Sequence, residues 1–207
     1  MPLPVVTTGA GGLPVVEVTA RALPVIEAAN GRGLRVTKVS NGFGLPVIYS
    51  GAVVITGPLV SPANMTSNTA PAPFVASALS EFSGGLAAFQ PFAALGAGEA
   101  NSWVSGTGTL PQWIQIDLGS AVTVAKYAMT TRNAASPHEW TAWTLSGSAN
   151  GSTWTVADTR TSSLVGTNIR RVFDLAPQRT FRYWRWDITA TSSNQYADCG
   201  QLALYGP

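Results

Sequence analysis

The chain has 207 residues, 45% of them hydrophobic and 11% charged, which gives room for one full domain with an appendage or for two small domains, and enough apolar side chains for a real core. Gly, Pro, Ser, Thr and Ala take the place of the missing charges, a mixture that excludes a helical bundle and fits a turn-rich β-protein. The net charge of +2 rests on scattered basic residues, with Arg170-Arg171 and Arg179/Arg182/Arg185 as the local clusters, so the continuous basic face that nucleic acid requires is missing.

The first ~57 residues read as a repeat. Leu-Pro-Val-Val stands at 3–6 and 13–16, Leu-Pro-Val-Ile at 23–26 and 45–48, and Gly33-Leu34-Arg35-Val36 keeps the frame without the proline. The leading leucines, Leu3, Leu13, Leu23, Leu34 and Leu45, are 10, 10, 11 and 11 residues apart, separated by glycine-rich turns such as Asn41-Gly42-Phe43-Gly44. Proline second in each run removes a backbone donor and suits the start or edge of a strand. Units this short hold too few apolar side chains for a core of their own. An extended short-strand arm over 1–57 that docks or oligomerises is expected; the other reading of this composition is a flexible linker.

From about Gly57 the pattern changes, and a second domain is expected over 58–207. Pro58 to Pro73 is rich in Pro, Ser, Thr and Asn and lacks helical periodicity. Alternation then predicts a strand over Trp113–Leu118, with Ile114, Ile116 and Leu118 on one face and Trp113, Gln115 and Asp117 on the other. A turn is expected at Gly119-Ser120, then strands over Val122–Thr131 and Trp143–Gly147. Asn150-Gly151 is a hairpin signal before Trp154–Val156. Strands over Ile169–Leu175, Phe181–Ala190 and Gln201–Tyr205 complete the series. In the penultimate one Trp184, Trp186 and Ile188 share a face opposite Tyr183, Arg185 and Asp187. Short strands at this spacing argue an all-β sandwich or jelly roll.

At these residues the chain resembles a known family. Pro111-Gln112-Trp113-Ile114-Gln115-Ile116-Asp117-Leu118-Gly119 is similar to the strand that marks discoidin, or coagulation factor 5/8 type C, domains and family 32 carbohydrate-binding modules. The run from Trp143 through Asn150-Gly151 to Trp154 resembles the family pattern W-T-L-x-G-S-x-D-G-x-x-W, and Phe181–Arg185 and Leu202–Gly206 resemble its last two strands. The resemblance covers about residues 58–207. It implies a galactose-binding-like jelly-roll β-sandwich with chain ends close together and ligand loops at one end. It also implies binding of galactose-type sugars, other glycans, phospholipid head groups or proteins, among which fold alone does not choose. More loosely, the Asn64–Pro73 segment and the Leu-Pro-Val arm are similar to text found in structural proteins of tailed phages and gene-transfer agents.

The family often holds a calcium ion near a Phe-Asp-Gly turn, helped by a glutamate in the final strand. Here Leu95 stands at the aspartate position of Phe92-Ala93-Ala94-Leu95-Gly96, and Ala203 stands at the glutamate position, with Glu99 the one carboxylate nearby. A hard cation needs such oxygens, so no metal is expected; the other reading is a weak site rescued by Glu99. Nor is any cofactor. Cys199 is the single cysteine, which excludes an intrachain disulfide and a Cys-based metal site, and His138, the single histidine, excludes a His-rich zinc centre. No nucleophile, base and third group stand in a recognisable motif, and no phosphate-binding glycine loop joins a strand to a helix, so no catalytic residue is assigned.

Sugar binding needs an aromatic face for the C–H side of the ring and fixed polar groups for its hydroxyls. The loop Arg132–Trp140 supplies Arg132, His138, Glu139 and Trp140; the other reading of His138 and Glu139 is as solvated loop residues. Trp140 is an extra tryptophan beside Trp143 of the family pattern, serving either as a ligand platform or as a cap on the sandwich edge. The loop Ser192–Asp198 adds Asn194 and Tyr196. In the third loop, Phe82–Trp103, Phe89 and Phe92 are expected to be core plugs. The Met1-Pro2-Leu3-Pro4 start lacks the features of a signal peptide, and no apolar stretch is long enough to cross a bilayer, so a soluble chain without membrane insertion is expected.

Three functional readings follow. The first is a virion structural and adhesion protein, assembled in the host cytoplasm, with 1–57 contacting other virion proteins or copies of itself and the sandwich contacting host glycan. The second is a decoration protein without ligand binding. The third is a carbohydrate-binding module of an enzyme system.

Overall fold

A computed structural model describes residues 57–82, 85–93, 102–134, 138–161 and 166–207. The repeat arm, the turn at Leu95 and Glu99 lie outside the described residues. Among the described residues there are eight strands: β1 (Val75–Ala78), β2 (Trp103–Val104), β3 (Gln112–Thr130), β4 (Trp140–Ser148), β5 (Thr155–Thr161), β6 (Arg170–Thr191), β7 (Asp198–Cys199) and β8 (Gln201–Tyr205), with a 3-10 turn at Gln90–Phe92. No helix among the described residues is long and apolar enough to cross a membrane.

The sandwich is built around two long strands that run through both of its layers. The first half of β3 pairs with β1 and with the second half of β6, from Gln112↔Ile188 to Asp117↔Tyr183. Beyond β6 this layer continues through β4 to β5. The second half of β3 pairs with β8 on one side and with the first half of β6 on the other. All of these ladders are antiparallel.

The expected turn at Gly119-Ser120 is a bulge within β3, and the expected strands over Ile169–Leu175 and Phe181–Ala190 are one strand, β6. Both strands bend at the same level, where their register shifts between Asp117 and Val122 and again between Val124 and Lys126. Extra residues let a strand turn a corner while its pairing continues on either side. Gly119 suits the corner on two counts. Its φ is +78°, and a Cβ there would lie 2.5 Å from the Pro73 ring. Asp117 secures the bend by accepting the Gly119 N–H at 2.8 Å and both arms of the Arg182 guanidinium at 2.7 Å. Burial alone would raise the Asp117 carboxyl, yet Arg182 and the Gly119 N–H hold it below its ordinary value.

The alternation in β6 appears as expected. Trp184, Trp186 and Ile188 are buried, while Tyr183, Arg185 and Asp187 are half-exposed. The inward residues meet Ile114, Ile116, Trp143 and Leu145 of their own layer and Tyr127, Met129, Leu202 and Leu204 of the opposite one in a single core cluster. Trp103, Trp140, Trp143, Trp184 and Trp186 are all fully buried, each contributing on the order of 2–3 kcal/mol by area. Phe92 is buried and Phe89 packs against the core, so both are the plugs expected of them. On the outer face the Arg185 guanidinium lies 4.1 Å from the Trp154 ring centre and 5.9 Å from that of Trp113, packing across strands.

The hairpin at Asn150-Gly151 forms as its residues demand. The Ser148 hydroxyl oxygen accepts the Asn150 and Gly151 N–H groups, and the Asn150 side chain accepts those of Ser152 and Thr153. The two ends of the domain meet: Leu59 bridges to Tyr205, and Gly206 donates to the Pro58 carbonyl at 2.9 Å.

Candidate functional site

Five stretches of chain converge at one end of the sandwich and enclose a solvent-open cavity of ≈ 310 Å³ lined by Phe82, Leu86, Val104, Arg132, His138 and Tyr196. That volume sits at the small end of the range for ligand sites, suited to one sugar residue rather than a chain. Phe82 follows β1 and is tied by its N–H to the Val104 carbonyl at 2.8 Å. Its bend is held by Glu81, whose carboxylate accepts the Ala88 N–H and the Asn68 amide. Arg132 leaves the end of β3, His138 enters β4, and Tyr196 sits in the loop between β6 and β7.

Tyr196 stands at the centre of an aromatic trio. Its ring centre is 5.4 Å from that of His138 and 6.1 Å from that of Phe82, the latter edge-on. The loop beneath it is pinned twice to Ser105, whose N–H donates to the Ala197 carbonyl and whose hydroxyl accepts the Ala197 N–H. Phe82 is 44% exposed, a large apolar ring left in solvent at the rim.

His138 is fixed on two sides. Its Nδ1 and the Ser193 hydroxyl share a hydrogen bond of 2.7 Å, and its backbone N–H donates to Asp198 Oδ2 at 2.9 Å. Nε2 takes part in neither bond. Burial first, and then the Arg132 charge, lower the His138 pKa, so the ring is neutral at pH 7 and Nε2 can accept or donate according to tautomer. Arg132 brings a cationic donor to the same wall. The site therefore joins aromatic faces to a small set of directed polar groups, the arrangement a sugar ring requires.

Of the six residues expected at a site, Arg132, His138 and Tyr196 come together here. Trp140 is corrected: it is 1% exposed and packs edge to face on Trp143, so its ring is closed to any ligand. Residues 140 and 143 would face opposite ways in a regular strand. Register shifts on either side of Ala142 reverse that parity and turn both indoles inward.

Glu139 is corrected as well, being neither a solvated loop residue nor a ligand contact. It is buried; its Oε1 accepts the Gly166 N–H at 3.0 Å, its Oε2 accepts the Ser192 hydroxyl at 2.6 Å, and its carbonyl accepts the Ser192 N–H. It clamps the loops together. Asn194 lies outside the cavity wall as an exposed turn residue with φ of +54°, a conformation its short polar side chain tolerates.

Phe82, Leu86, Val104, Ser193 and Asp198 were not anticipated. Ser193 reaches the site in the loop between β6 and β7, and the others through the β2–β7 pairing and the Phe82–Leu86 bridge. No local pattern marks a two-residue strand, and an aromatic between Glu81 and Ser83 carries no periodicity. Among the described residues no three His, Cys, Asp or Glu side chains are grouped to hold a metal ion. Ala203 is buried within β8.

The comparisons with known proteins agree with this fold. The F5/8 type C domain model matches residues 75–202. Chitosan-binding module 1 derived from a chitosanase/glucanase of Paenibacillus sp. IK-5 superposes with a TM-score of 0.57 and 21% identity, covering 72% of this chain and 99% of that one. The family 32 carbohydrate-binding module of C. perfringens NanJ, in complex with galactose, gives 0.55 and 21%, covering 64% and 93%. The corresponding module of AlyQ, in complex with 4,5-unsaturated mannuronic acid, gives 0.52 and 22%, covering 64% and 95%. No curated protein matches the chain. The family model spans most of the sandwich, from β1 into β8, and by that match the chain belongs to the F5/8 type C domain family.

Proposed function

We propose that this protein is a non-catalytic glycan-binding module that takes one sugar residue in the pocket of Phe82, Arg132, His138 and Tyr196. The single observation that carries the reading is the convergence of three aromatic rings and a cationic donor in one open cavity at the loop end of an F5/8 type C sandwich. The ring of Tyr196 or Phe82 would take the C–H face of the sugar, while His138 Nε2 and Arg132 would take its hydroxyls. Structurally similar modules with galactose and with an unsaturated mannuronic acid bound support the ligand class. The test is a glycan array with the Tyr196→Ala variant as control; loss of signal on substitution is expected, and an array blank for both proteins sinks the reading.

The finer proposal sets this module on a phage-like particle, assembled in the host cytoplasm. There residues 1–57 anchor it to other virion proteins or to its own copies, and the sandwich reaches host glycan. It rests on the regular leucine spacing of the arm and on the looser resemblance of its text. Clustering several copies would raise a weak monosaccharide affinity through avidity. A module of an enzyme system is the competing proposal, supported by the similar module from a chitosanase/glucanase. Light scattering separates them: the full chain is expected to be oligomeric and a chain beginning at Gly57 monomeric, whereas equal masses would remove the self-association proposal.

A further inference from the structure

Directly behind the pocket wall lies a carboxylate that the recognition chemistry does not use. Asp198, on β7, is 2% exposed. Its Oδ2 holds the backbone N–H of His138, but its Oδ1 is buried with no hydrogen-bond partner. An ionised carboxylate oxygen buried without a donor is costly, and that oxygen is where a proton would go.

The charged and titratable groups around it come from three stretches of chain. Arg132 at the end of β3 acts on it as a positive charge, Glu139 ahead of β4 as a negative one, and Cys199, its neighbour on β7, is a fully buried thiol that burial first and then the Asp198 charge push upward. From the facing strand β2 come only Trp103 and Val104, both uncharged. Glu139 is committed to Gly166 and Ser192, which leaves Asp198 as the carboxylate able to respond to pH without dismantling the loops.

We propose that Asp198 is a positioning residue that makes the pocket pH-responsive: ionised, it draws in the His138 backbone, and on acidification it loosens its hold on it. The inference deepens the glycan reading and rests on it only where affinity is concerned. With the proton on Oδ1, the bond from the His138 N–H changes from charge-assisted to neutral and weakens by roughly half. The group's environment places this change in the mildly acidic range: burial raises the carboxyl, the His138 N–H and Arg132 pull it back in part, and it titrates at about 6.

The experiment is NMR of the full chain from pH 4.5 to 8, first without ligand. The His138 amide resonance is expected to titrate together with the Asp198 side-chain carboxyl carbon, with a midpoint distinct from that of the His138 ring. In Asp198→Asn the amide titration disappears while the ring titration persists. An amide that follows only its own ring, unchanged in Asp198→Asn, overturns the proposal; should that variant fail to fold, the coincidence or mismatch of the two wild-type midpoints decides. Galactose is then titrated at pH 7.5 and 5.5, with an expected fall in affinity of at least threefold in the wild type and less than twofold in Asp198→Asn. Equal falls in the two proteins overturn the coupling to ligand. No galactose binding at either pH, with the amide titration intact, counts against galactose as the pocket's sugar and leaves the assignment to Asp198 supported.

Discussion

Trp140 and Trp143 begin the same strand, yet their rings meet edge to face with centres 6.2 Å apart, both turned into the core. The pair closes the end of the sandwich directly behind the loop that carries His138. The tryptophan that looks spare in the sequence is therefore a structural element, and the aromatic surface offered to a ligand comes from Phe82 and Tyr196.

This division predicts opposite outcomes for two truncations. Trp140→Ala removes a fully buried indole and is expected to destabilise the domain by about 3–5 kcal/mol, measured by chemical denaturation. Tyr196→Ala, and separately Phe82→Ala, is expected to leave the thermal midpoint within a few degrees and to lower glycan affinity about tenfold or more, measured by calorimetric titration of an array-positive glycan.

The buried hydroxyl of Tyr127 leads to a second prediction. Trp143 Nε1 donates to it at 3.1 Å, and it donates in turn to Asp158 Oδ2 at 2.8 Å, which also accepts Arg160 Nε at 2.7 Å. Phe173 stacks on the Tyr127 ring, and Arg160 lies over Phe173. Tyr127→Phe keeps the stack but strands the Trp143 N–H in the core, at an expected cost of about 1–3 kcal/mol in denaturant unfolding. Burial first and the bond to Asp158 second push the phenol's pKa well upward. Ultraviolet titration of the folded wild type is therefore expected to leave Tyr127 un-ionised at pH 11.

Asp198 also governs stability, with a definite sign. Its folded value of about 6 lies above the ordinary carboxyl value of 3.8, so the folded state binds the proton more tightly than the unfolded state. Its contribution is most favourable below pH 4, and stability is lost as pH rises through about 6, by an amount on the order of 2–3 kcal/mol. Asp198→Asn removes that dependence. The thermal midpoint of the variant minus that of the wild type is expected to grow between pH 4 and 7; a constant difference would contradict the assignment.

At the bend of β3, Gly119→Ala combines a positive φ with a Cβ that meets the Pro73 ring at 2.5 Å. A loss of about 2 kcal/mol or more is expected on thermal unfolding. Ser120→Ala beside it is expected to change stability by less than about 0.5 kcal/mol.

The sequence alone determined the layered β architecture, the inward faces of β3 and β6, the Asn150-Gly151 hairpin and the loops holding Arg132, His138 and Tyr196. Each depends on a period of two or on a turn residue, signals confined to neighbouring positions. Tertiary structure alone decided that Gly119 bends a strand without ending it and that bulges around Ala142 bury Trp140. It also decided that Glu139 clamps loops and that Phe82 and Asp198 join the site across the β2–β7 pair. A bulge shifts parity without changing local composition, and a two-residue strand exists only because a distant segment pairs with it. Such features arise from long-range pairing, which alternation along a single segment does not encode.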